Sequence, residues 1–242
     1  MKIAAIGDLH VKESANGSYR DLFIEIGKNA EVLLLCGDLT DTGLPKEAEN
    51  LAHDLSVLNI PVMGVLGNHD HHSDRVPEIK KILEEAKLIF LEDQTHEIGD
   101  VGFAGVKGFG GGYGEHMLSG FGEKAIKQFV EESVNETLKL ENALQRLKTK
   151  YKVVALHYSP IPQTVHGEAL EIYPYLGSSR LAETLERFDV QAVFHGHAHR
   201  GIFKGMMRKG TPVYNCSQPI VQKEEGRPYA VIEMPQPLDV LA

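Results

Sequence analysis

The stretch KIAAIGDLH, residues 2–10, gives the first indication of the fold, because an apolar run is followed at once by a polar loop carrying an aspartate and a histidine. Apolar runs without alternation are typical of strands that are covered on both faces. The same arrangement returns in EVLLLCGDLT at 31–40 and in PVMGVLGNHD at 61–70. Each unit is followed by an amphipathic segment, at 19–28, 45–58 and 76–87. The first hundred residues therefore predict buried strands joined by helices.

The pattern changes in the second part of the chain. Residues 94–106 alternate around a Gly-Asp pair and predict a β-hairpin. Residues 122–148 predict one long helix or two shorter ones, with an apolar stripe of Ile126, Val130, Val134 and Leu138. Buried strands at 151–157 and 190–197 flank a helix at 178–188, and antiparallel strands follow to the end. We predict a layered α/β sandwich, one domain over 1–242 with a helical insertion at about 115–150.

Charge and composition limit the classes of partner. The chain has 242 residues and a formal net charge of −9, which disfavours an extended nucleic acid as a partner. Two cysteines are too few for a disulfide scaffold. The N-terminal apolar run is interrupted by Asp8, before it reaches the length of a signal sequence or a membrane span. We therefore expect a cytoplasmic protein with no membrane partner.

Five loops that follow predicted strands contain aspartate, asparagine or histidine. Open α/β sheets bind their ligands at the carboxyl ends of strands, because loops from neighbouring strands meet there. One Asp-x-His loop would be weak evidence, whereas five such loops indicate a common site. The residues are Asp8 and His10; Asp38 and Asp41; Asn68, His69 and Asp70; His157; and His195, His197 and His199.

The residue types indicate a metal site. Carboxylate, amide and imidazole groups without cysteine suit Mn, Fe, Zn or Ni and disfavour a structural zinc site. The candidates are too many for one ion, and the two oxygens of one carboxylate can bridge two ions. Asp38, at the end of a predicted central strand, is the candidate bridge. Two divalent ions about 3.5–4 Å apart are typical of enzymes that displace groups at phosphorus.

The order of the motifs D-x-H, G-D-x-x-D, G-N-H-D, a lone strand-end histidine and G-H-x-H, over residues 8–199, resembles the calcineurin-like metallophosphoesterase family. The resemblance implies a four-layer α/β/β/α sandwich of two mixed sheets flanked by helices. It also implies two metal sites and a general acid, His69, oriented by Asp70. The first metal would be held by Asp8, His10, Asp38 and His199, and the second by Asp38, Asn68, His157 and His197.

The same resemblance implies hydrolysis of a phosphate ester by direct attack of a hydroxide that bridges the two metals. In an extended segment His195 could share a face with His197 and His199, but the family pattern assigns only the last two to metal. The intervening Gly196 also indicates a sharp turn. We expect His195 and Asp41 to support the site through hydrogen bonds.

Substrate contacts are predicted in the Pro/Gly-rich segment 158–180, which follows His157. Loops on a rigid scaffold commonly carry specificity, although an ordinary surface loop is the alternative here. The glycine-rich stretch 108–114 lacks the Gly-Lys-Ser/Thr ending of a phosphate-binding loop, and we expect it to form a flexible rim. The candidate substrate-binding residues are His72, His166, Glu168, Ser178 and Arg180.

The motifs favour a phosphodiesterase acting on a small phosphate ester. Protein phosphatases of the family resemble G-D-x-V-D-R-G and G-N-H-E, whereas this chain has Thr42 and Asp70 at the arginine and glutamate positions. It is more similar to the bacterial and archaeal phosphodiesterase branch. The alternatives are a phosphomonoesterase or protein phosphatase, a non-catalytic scaffold with the same fold, and a nuclease, which the acidic charge disfavours. The oligomeric state stays open.

Overall fold

The computed structural model describes residues 1–92 and 94–234, and its first sheet has five strands in that part of the chain. The spatial order is β11-β1-β2-β3-β4. Neighbours among β1 to β4 are parallel, while β11 pairs antiparallel with β1. The strands are β1 (Lys2–Ile6), β2 (Val32–Cys36), β3 (Val62–Val65), β4 (Leu88–Phe90) and β11 (Ala230–Glu233).

The second sheet has six strands within the described ranges, in the order β5-β6-β7-β8-β10-β9. Its four central strands are parallel, and an antiparallel strand closes each edge. The predicted hairpin at 94–106 is confirmed as β5 and β6. The strands are β5 (His96–Ile98), β6 (Val101–Val106), β7 (Tyr151–Leu156), β8 (Ala192–His195), β9 (Lys204–Met206) and β10 (Pro212–Asn215).

Helices cover the outer face of each sheet and complete four layers. On the first sheet lie α1 (Arg20–Asn29), α2 (Pro45–Leu55) and α3 (Val76–Glu85). On the second lie α4 (Lys124–Arg146) and α6 (Ser179–Leu185). Two further helices are α5 (Tyr173–Leu176) and α7 (Gln218–Glu225). The predicted α/β/β/α sandwich of two mixed sheets is confirmed. Among the helices described, none combines the length and apolarity that crossing a membrane requires.

The two faces of each central strand enter different cores. In β1, Ile3 and Ala5 face the core between the sheets, whereas Ala4 and Ile6 face the helices. Both sides are buried, which is why the sequence shows continuous apolar runs instead of alternation. The two cysteines, Cys36 and Cys216, are buried free thiols in the core between the sheets.

Helix α4 is one continuous helix, but the predicted apolar stripe is wrong. Val130 is buried, whereas Ile126, Val134 and Leu138 are 42%, 40% and 51% exposed. The buried face instead includes polar residues, because the helix lies over the backbone of the glycine-rich stretch 108–114. There the carboxylate of Glu136 accepts a hydrogen bond from the Gly108 N–H at 2.8 Å. The buried residues are Val130, Ser133, Glu136, Leu140, Ala143 and Leu144.

The strand β4 and the helices α5 and α7 were not predicted. The strand β4 follows α3 directly and is only three residues long. The helix α7 lies between β10 and β11, where only strands were expected. Two apolar side chains of α7, Ile220 and Val221, pack in the core between the sheets. An amphipathic pattern this short does not distinguish a helix from a strand.

The corrected face of α4 gives a stability test. Replacing Leu140, which is 0% exposed, by alanine should lower the free energy of unfolding by about 2–5 kcal/mol, since it leaves a cavity. The matched variant Leu138→Ala, on the exposed face, should change it by less than about 0.5 kcal/mol. Urea unfolding of both variants measures the difference. Equal losses would contradict the orientation of the helix.

Candidate metal centre

The carboxyl ends of parallel strands from both sheets bring the predicted ligands together. Strands β1, β2 and β3 are neighbours in the first sheet, and β7 and β8 are neighbours in the second. The loops after these strands supply ligand atoms to three overlapping groups in the described part of the chain. Within each group, one atom per residue lies within 4.8 Å of the others. The groups are Asp8, His10 and His199; His10, Asp38 and His69; and Asp38, His157 and His197.

Four predicted ligands have a left-handed backbone. The φ angles are 60° at Asp8, 47° at His10, 50° at Asp38 and 73° at His197. This region is uncommon for residues other than glycine and costs of order 1–3 kcal/mol each. Backbone hydrogen bonds hold the turns, from the Asp8 N–H to the Gly37 carbonyl and from the His10 N–H to the Asp38 carbonyl, both at 3.0 Å. Such strain, concentrated at one set of side chains, is typical of functional sites.

The first group of ligands contains unused imidazole atoms. Both ring nitrogens of His10 are buried and have no hydrogen-bond partner within residues 1–92 and 94–234. One of them, Nε2, lies 3.8 Å from Asp38 Oδ2. On the other side of the group, His199 Nε2 lies 3.1 Å from Asp8 Oδ1. Buried polar atoms normally have partners, and a divalent cation would give His10 its missing partner.

The second group of ligands brings several lone pairs to one point. His157 Nδ1 donates to the Cys36 carbonyl at 3.0 Å, and burial lowers the pKa of His157 to about 4. The ring is therefore neutral at pH 7 and its Nε2 carries a lone pair. That atom faces Asn68 Oδ1 at 2.9 Å and Asp38 Oδ1 at 3.4 Å. Three acceptors that converge in this way suit a cation.

The two buried carboxylates also favour a cation. Burial and the neighbouring charge of Asp8 raise the pKa of Asp38 to about 6. Burial also disfavours ionisation of Asp8, but a hydrogen bond from His199 and the nearby histidines hold the pKa of Asp8 below its usual value. The backbone N–H of His197 also meets both Asp8 oxygens at 3.0 Å. Divalent cations between these carboxylates would compensate the repulsion that raises the pKa of Asp38.

His69 is held at the edge of the centre. Its N–H donates to Asp38 Oδ1 at 2.8 Å, and its ring centroid lies 4.4 Å from that of His10. The ring nitrogen Nδ1 donates to the Asp41 carbonyl at 2.6 Å. The hydrogen bond leaves Nε2 as the ring atom that can act on a substrate.

The hydrogen bonds of Asp70 correct the prediction that this residue orients the His69 ring. Asp70 lies in a tight helical turn (His69–His71) that directs its carboxylate into the protein, where it is fully buried. It accepts from the Thr40 N–H at 2.8 Å, the Thr40 hydroxyl at 2.6 Å and the Gly67 N–H at 2.8 Å. Asp70 thus joins two ligand loops, while the Asp41 carbonyl orients His69.

The two residues expected to support the site have different surroundings. Both nitrogens of His195 are used inside the protein, by the Gly196 carbonyl and the Thr164 hydroxyl, each at 2.8 Å. Neither nitrogen is therefore free for a cation. The Asp41 carboxylate lies 3.8 Å from His10 Nδ1, outside hydrogen-bond range. Asp41 acts on the site through its backbone carbonyl.

Two predicted substrate contacts hold loops together. Ser178 is buried and caps α6, accepting a hydrogen bond from the Arg180 N–H at 3.3 Å. The Arg180 guanidinium donates to the Leu118 carbonyl at 2.8 Å. The reason is that the start of α6 packs against the glycine-rich stretch, where the Ser179 N–H donates to the Gly112 carbonyl. Ser178 and Arg180 thus hold these loops together, and a contact with substrate stays a prediction for both.

The remaining candidates lie nearer to solvent. Glu168 is half-buried and accepts a hydrogen bond from the Arg200 N–H at 2.7 Å. His72 and His166 are exposed. These positions leave all three as predictions.

Two tyrosines beside the ligands were missed in the sequence. The Tyr158 ring lies 4.4 Å from the ring of His197 and 5.4 Å from that of His157, measured between centroids. The Tyr175 carbonyl accepts a hydrogen bond from His197 Nε2 at 3.0 Å, which leaves Nδ1 of His197 with the lone pair. Adjacency to His157 could have indicated Tyr158. For Tyr175 the sequence has no comparable signal.

A family model described as calcineurin-like phosphoesterase matches residues 1–201. The chain therefore belongs to the calcineurin-like phosphoesterase family, as its motifs predicted. Members of this family use divalent metals, and the Asp/His groups described above are chemically suited to hold them. Together the family and the relatives support a phosphoester hydrolase.

Two curated relatives have phosphodiesterase names. A protein of Arcobacter nitrofigilis described as a probable glycerophosphodiester phosphodiesterase is 22% identical over 218 residues. A 3′,5′-cyclic-nucleotide phosphodiesterase of Nostoc is 25% identical over 213 residues. Each alignment covers 83% of this chain and 72% of the relative.

Solved structures share the fold. A phosphopantetheinyl hydrolase of Mycobacterium tuberculosis matches with a TM-score of 0.72 at 14% identity, over 98% of this chain and 96% of that one. The protein TT1561 of Thermus thermophilus matches with a TM-score of 0.59 at 17% identity, over 96% and 98% of the two chains. At these identities the likeness concerns the fold alone.

The support of His157 by the backbone can be tested at one glycine. Gly37 has a φ of +83°, and a Cβ there would lie 2.4 Å from His157 Nδ1. Gly37→Ala should displace the imidazole and weaken binding of Mn²⁺ by about 10- to 100-fold, the usual effect of losing the support of a ligand. The matched variant Gly99→Ala, at a φ of +57° with nothing within 4 Å, should destabilise the fold by about 1–2 kcal/mol without changing metal affinity. Calorimetric Mn²⁺ titration compares the two, and equal affinities would contradict the assignment.

Proposed function

We propose that this chain is a dinuclear metal-dependent phosphodiesterase that hydrolyses small phosphate diesters directly, without a covalent intermediate. The observation that carries the proposal is the position of Asp38 between the two sets of ligand atoms. Its Oδ2 faces His10, and its Oδ1 faces His157. The ligands to the first cation would be Asp8, His10, Asp38 and His199, and those to the second Asp38, Asn68, His157 and His197.

When bound, two divalent cations supply Lewis acidity toward the phosphate oxygens and acidify an attacking water. Asp8 and Asp38 cancel only part of the charge of two such ions, so the centre attracts an anionic ester although the whole chain is acidic. His69 stands beside His10 and Asp38, where it would donate a proton to the departing alkoxide. The Asp41 carbonyl keeps the ring in one orientation during this transfer.

Several observations favour a diester over a monoester. Both curated relatives named above are phosphodiesterases by name. Protein phosphatases of the family resemble the pattern G-D-x-V-D-R-G, and this chain has Thr42 at the position of the arginine. The chain therefore lacks one residue of the protein-phosphatase pattern. Ligand positions filled on all five loops favour catalysis over a scaffold role. Mn, Fe, Zn and Ni all suit the mixture of carboxylate, amide and imidazole ligands.

A substrate panel on metal-stripped protein tests the proposal. Dye-linked diesters and monoesters are supplied with Mn, Ni, Zn, Fe or Mg in separate reactions. We expect metal-dependent turnover, with a higher kcat/KM for diesters and little dependence on salt. A higher kcat/KM for monoesters would overturn the substrate class, and metal-bound protein inactive on every ester would overturn the enzyme assignment.

The role of Asp38 predicts a loss of bound metal. Asp38→Asn removes the charge shared by both sites and should reduce bound Mn²⁺ from two ions to one or none per chain, with activity falling in parallel. The matched variant Asp41→Asn should retain both ions, because its carboxylate lies beyond hydrogen-bond distance from His10. Metal analysis after dialysis in a fixed concentration of free Mn²⁺ gives the counts. Two ions retained in Asp38→Asn would exclude a bridging role.

The role of His69 predicts a dependence on the leaving group. His69→Ala should retain both metals and slow alkyl diesters by about 10²–10⁴-fold, the usual contribution of a general acid. Diesters with a p-nitrophenol leaving group should be slowed much less, because that group departs without a proton. Rates across esters of graded leaving-group pKa measure this difference. Uniform slowing, or loss of metal, would show that His69 has another role.

A further inference from the structure

A continuous series of aromatic rings begins at the metal centre and ends at the surface. We call the four side chains Tyr158, Phe109, Phe129 and Tyr175 the aromatic wall. The centroid distances are 5.7 Å from Tyr158 to Phe109, 4.8 Å from Phe109 to Phe129 and 5.9 Å from Phe129 to Tyr175. Pairs at these separations are in favourable aromatic contact. The rings come from four separate segments, so the wall exists only in the folded chain.

Both ends of the aromatic wall contact the same predicted ligand. At one end, the Tyr158 ring lies 4.4 Å from the ring of His197. At the other end, the Tyr175 carbonyl accepts the hydrogen bond from His197 Nε2 at 3.0 Å. The aromatic wall therefore adjoins the metal centre through His197 at both of its ends.

One side of the wall is covered and its outer end is open. The ammonium of Lys107, itself buried, lies 4.9 Å from the Phe109 centroid and 5.5 Å from the Tyr158 centroid. Phe109 and Phe129 are half-buried, whereas Tyr175 is 61% exposed. Exposed Leu170 and Ile172 precede Tyr175 in the same segment. Exposed apolar side chains concentrated beside a polar centre are typical of a ligand groove.

The wall is held in place before any ligand binds. Glu136, on α4, accepts the Gly108 N–H at 2.8 Å and so fixes the loop that carries Phe109 to the helix that carries Phe129. The Gly111 N–H donates to the Pro174 carbonyl, which fixes the segment of Tyr175 to the same loop. A surface held in this way loses little conformational entropy on binding.

We propose that the aromatic wall is a subsite for a planar aromatic group carried by the phosphate ester, a nucleobase in the first instance, which stacks on Tyr175. The inference rests on the proposed function, because the metal centre places the phosphate. Stacking of a base on an aromatic side chain strengthens binding by about tenfold or more. A glycerol or ethanolamine substituent would gain no such contact.

The contribution of the Tyr175 ring is measured from the binding of phosphate monoesters to the Mn²⁺-loaded full chain. Calorimetry compares AMP with ribose 5-phosphate, which lacks only the base, and phenyl phosphate with methyl phosphate. Phosphorus NMR after each titration confirms that the ligands are intact. The variants are Tyr175→Leu, which removes the ring, and Tyr175→Phe, which keeps it. Phe121→Leu is the matched control, since Phe121 is 85% exposed and outside the aromatic wall.

We expect AMP to bind about tenfold or more tightly than ribose 5-phosphate in the wild type, in Tyr175→Phe and in Phe121→Leu. In Tyr175→Leu the ratio should fall below about threefold, with metal content unchanged, because His197 contacts only the backbone of residue 175. If the wild type prefers phenyl over methyl phosphate but does not prefer AMP over ribose 5-phosphate, the subsite binds a simple aryl group and the nucleobase is excluded.

The outcomes separate this proposal from the proposed function. Equal binding of AMP and ribose 5-phosphate, and of phenyl and methyl phosphate, overturns the subsite even if diesters are hydrolysed. A full preference retained in Tyr175→Leu also overturns it. A preference lost in Tyr175→Leu supports the subsite even if the chain hydrolyses no diester, in which case the proposed function alone fails.

Discussion

The site depends on one buried carboxylate that several strand ends approach. Asp38 lies at the end of β2 and accepts the His69 N–H at 2.8 Å, and its two oxygens face His157 and His10. These contacts join segments from both sheets, so the packing of one sheet on the other sets the distances within the site. The core between the sheets therefore acts on function as well as on stability. A shift of one sheet would separate the ligands without changing any of them.

The site combines features that are unfavourable in isolation. Four non-glycine residues have positive φ, two carboxylates lie close together, and the imidazole atoms of His10 are buried without a partner in the described chain. Each feature costs stability. A cation at this point would bind the imidazoles and neutralise the carboxylates, which accounts for their coincidence. Asp70 also stabilises the site, because its hydrogen bonds to Thr40 and Gly67 join two of the ligand loops.

The two sides of the sandwich contribute differently. The first sheet and its helices present short loops that carry ligands and hydrogen bonds between them. The second sheet also carries α4 and the segment before α6, and these bring aromatic side chains to the edge of the centre. On the proposed function, the same framework would separate the residues that hold phosphate from the surface that meets the rest of a substrate, in keeping with specificity carried by loops on a rigid scaffold.

The sequence predicted the strands of the sandwich other than β4, together with the set of candidate ligands, because apolar runs and the motifs that follow them are local features. It did not determine which face of α4 is buried, since Glu136 and Ser133 lie inward over the backbone of the glycine-rich stretch 108–114. Nor did it determine that Asp70 contacts Thr40, that Ser178 and Arg180 secure a loop, or that Tyr175 adjoins His197. These outcomes belong to the tertiary structure, because each depends on contacts between segments distant in sequence, and no local pattern records which segments meet.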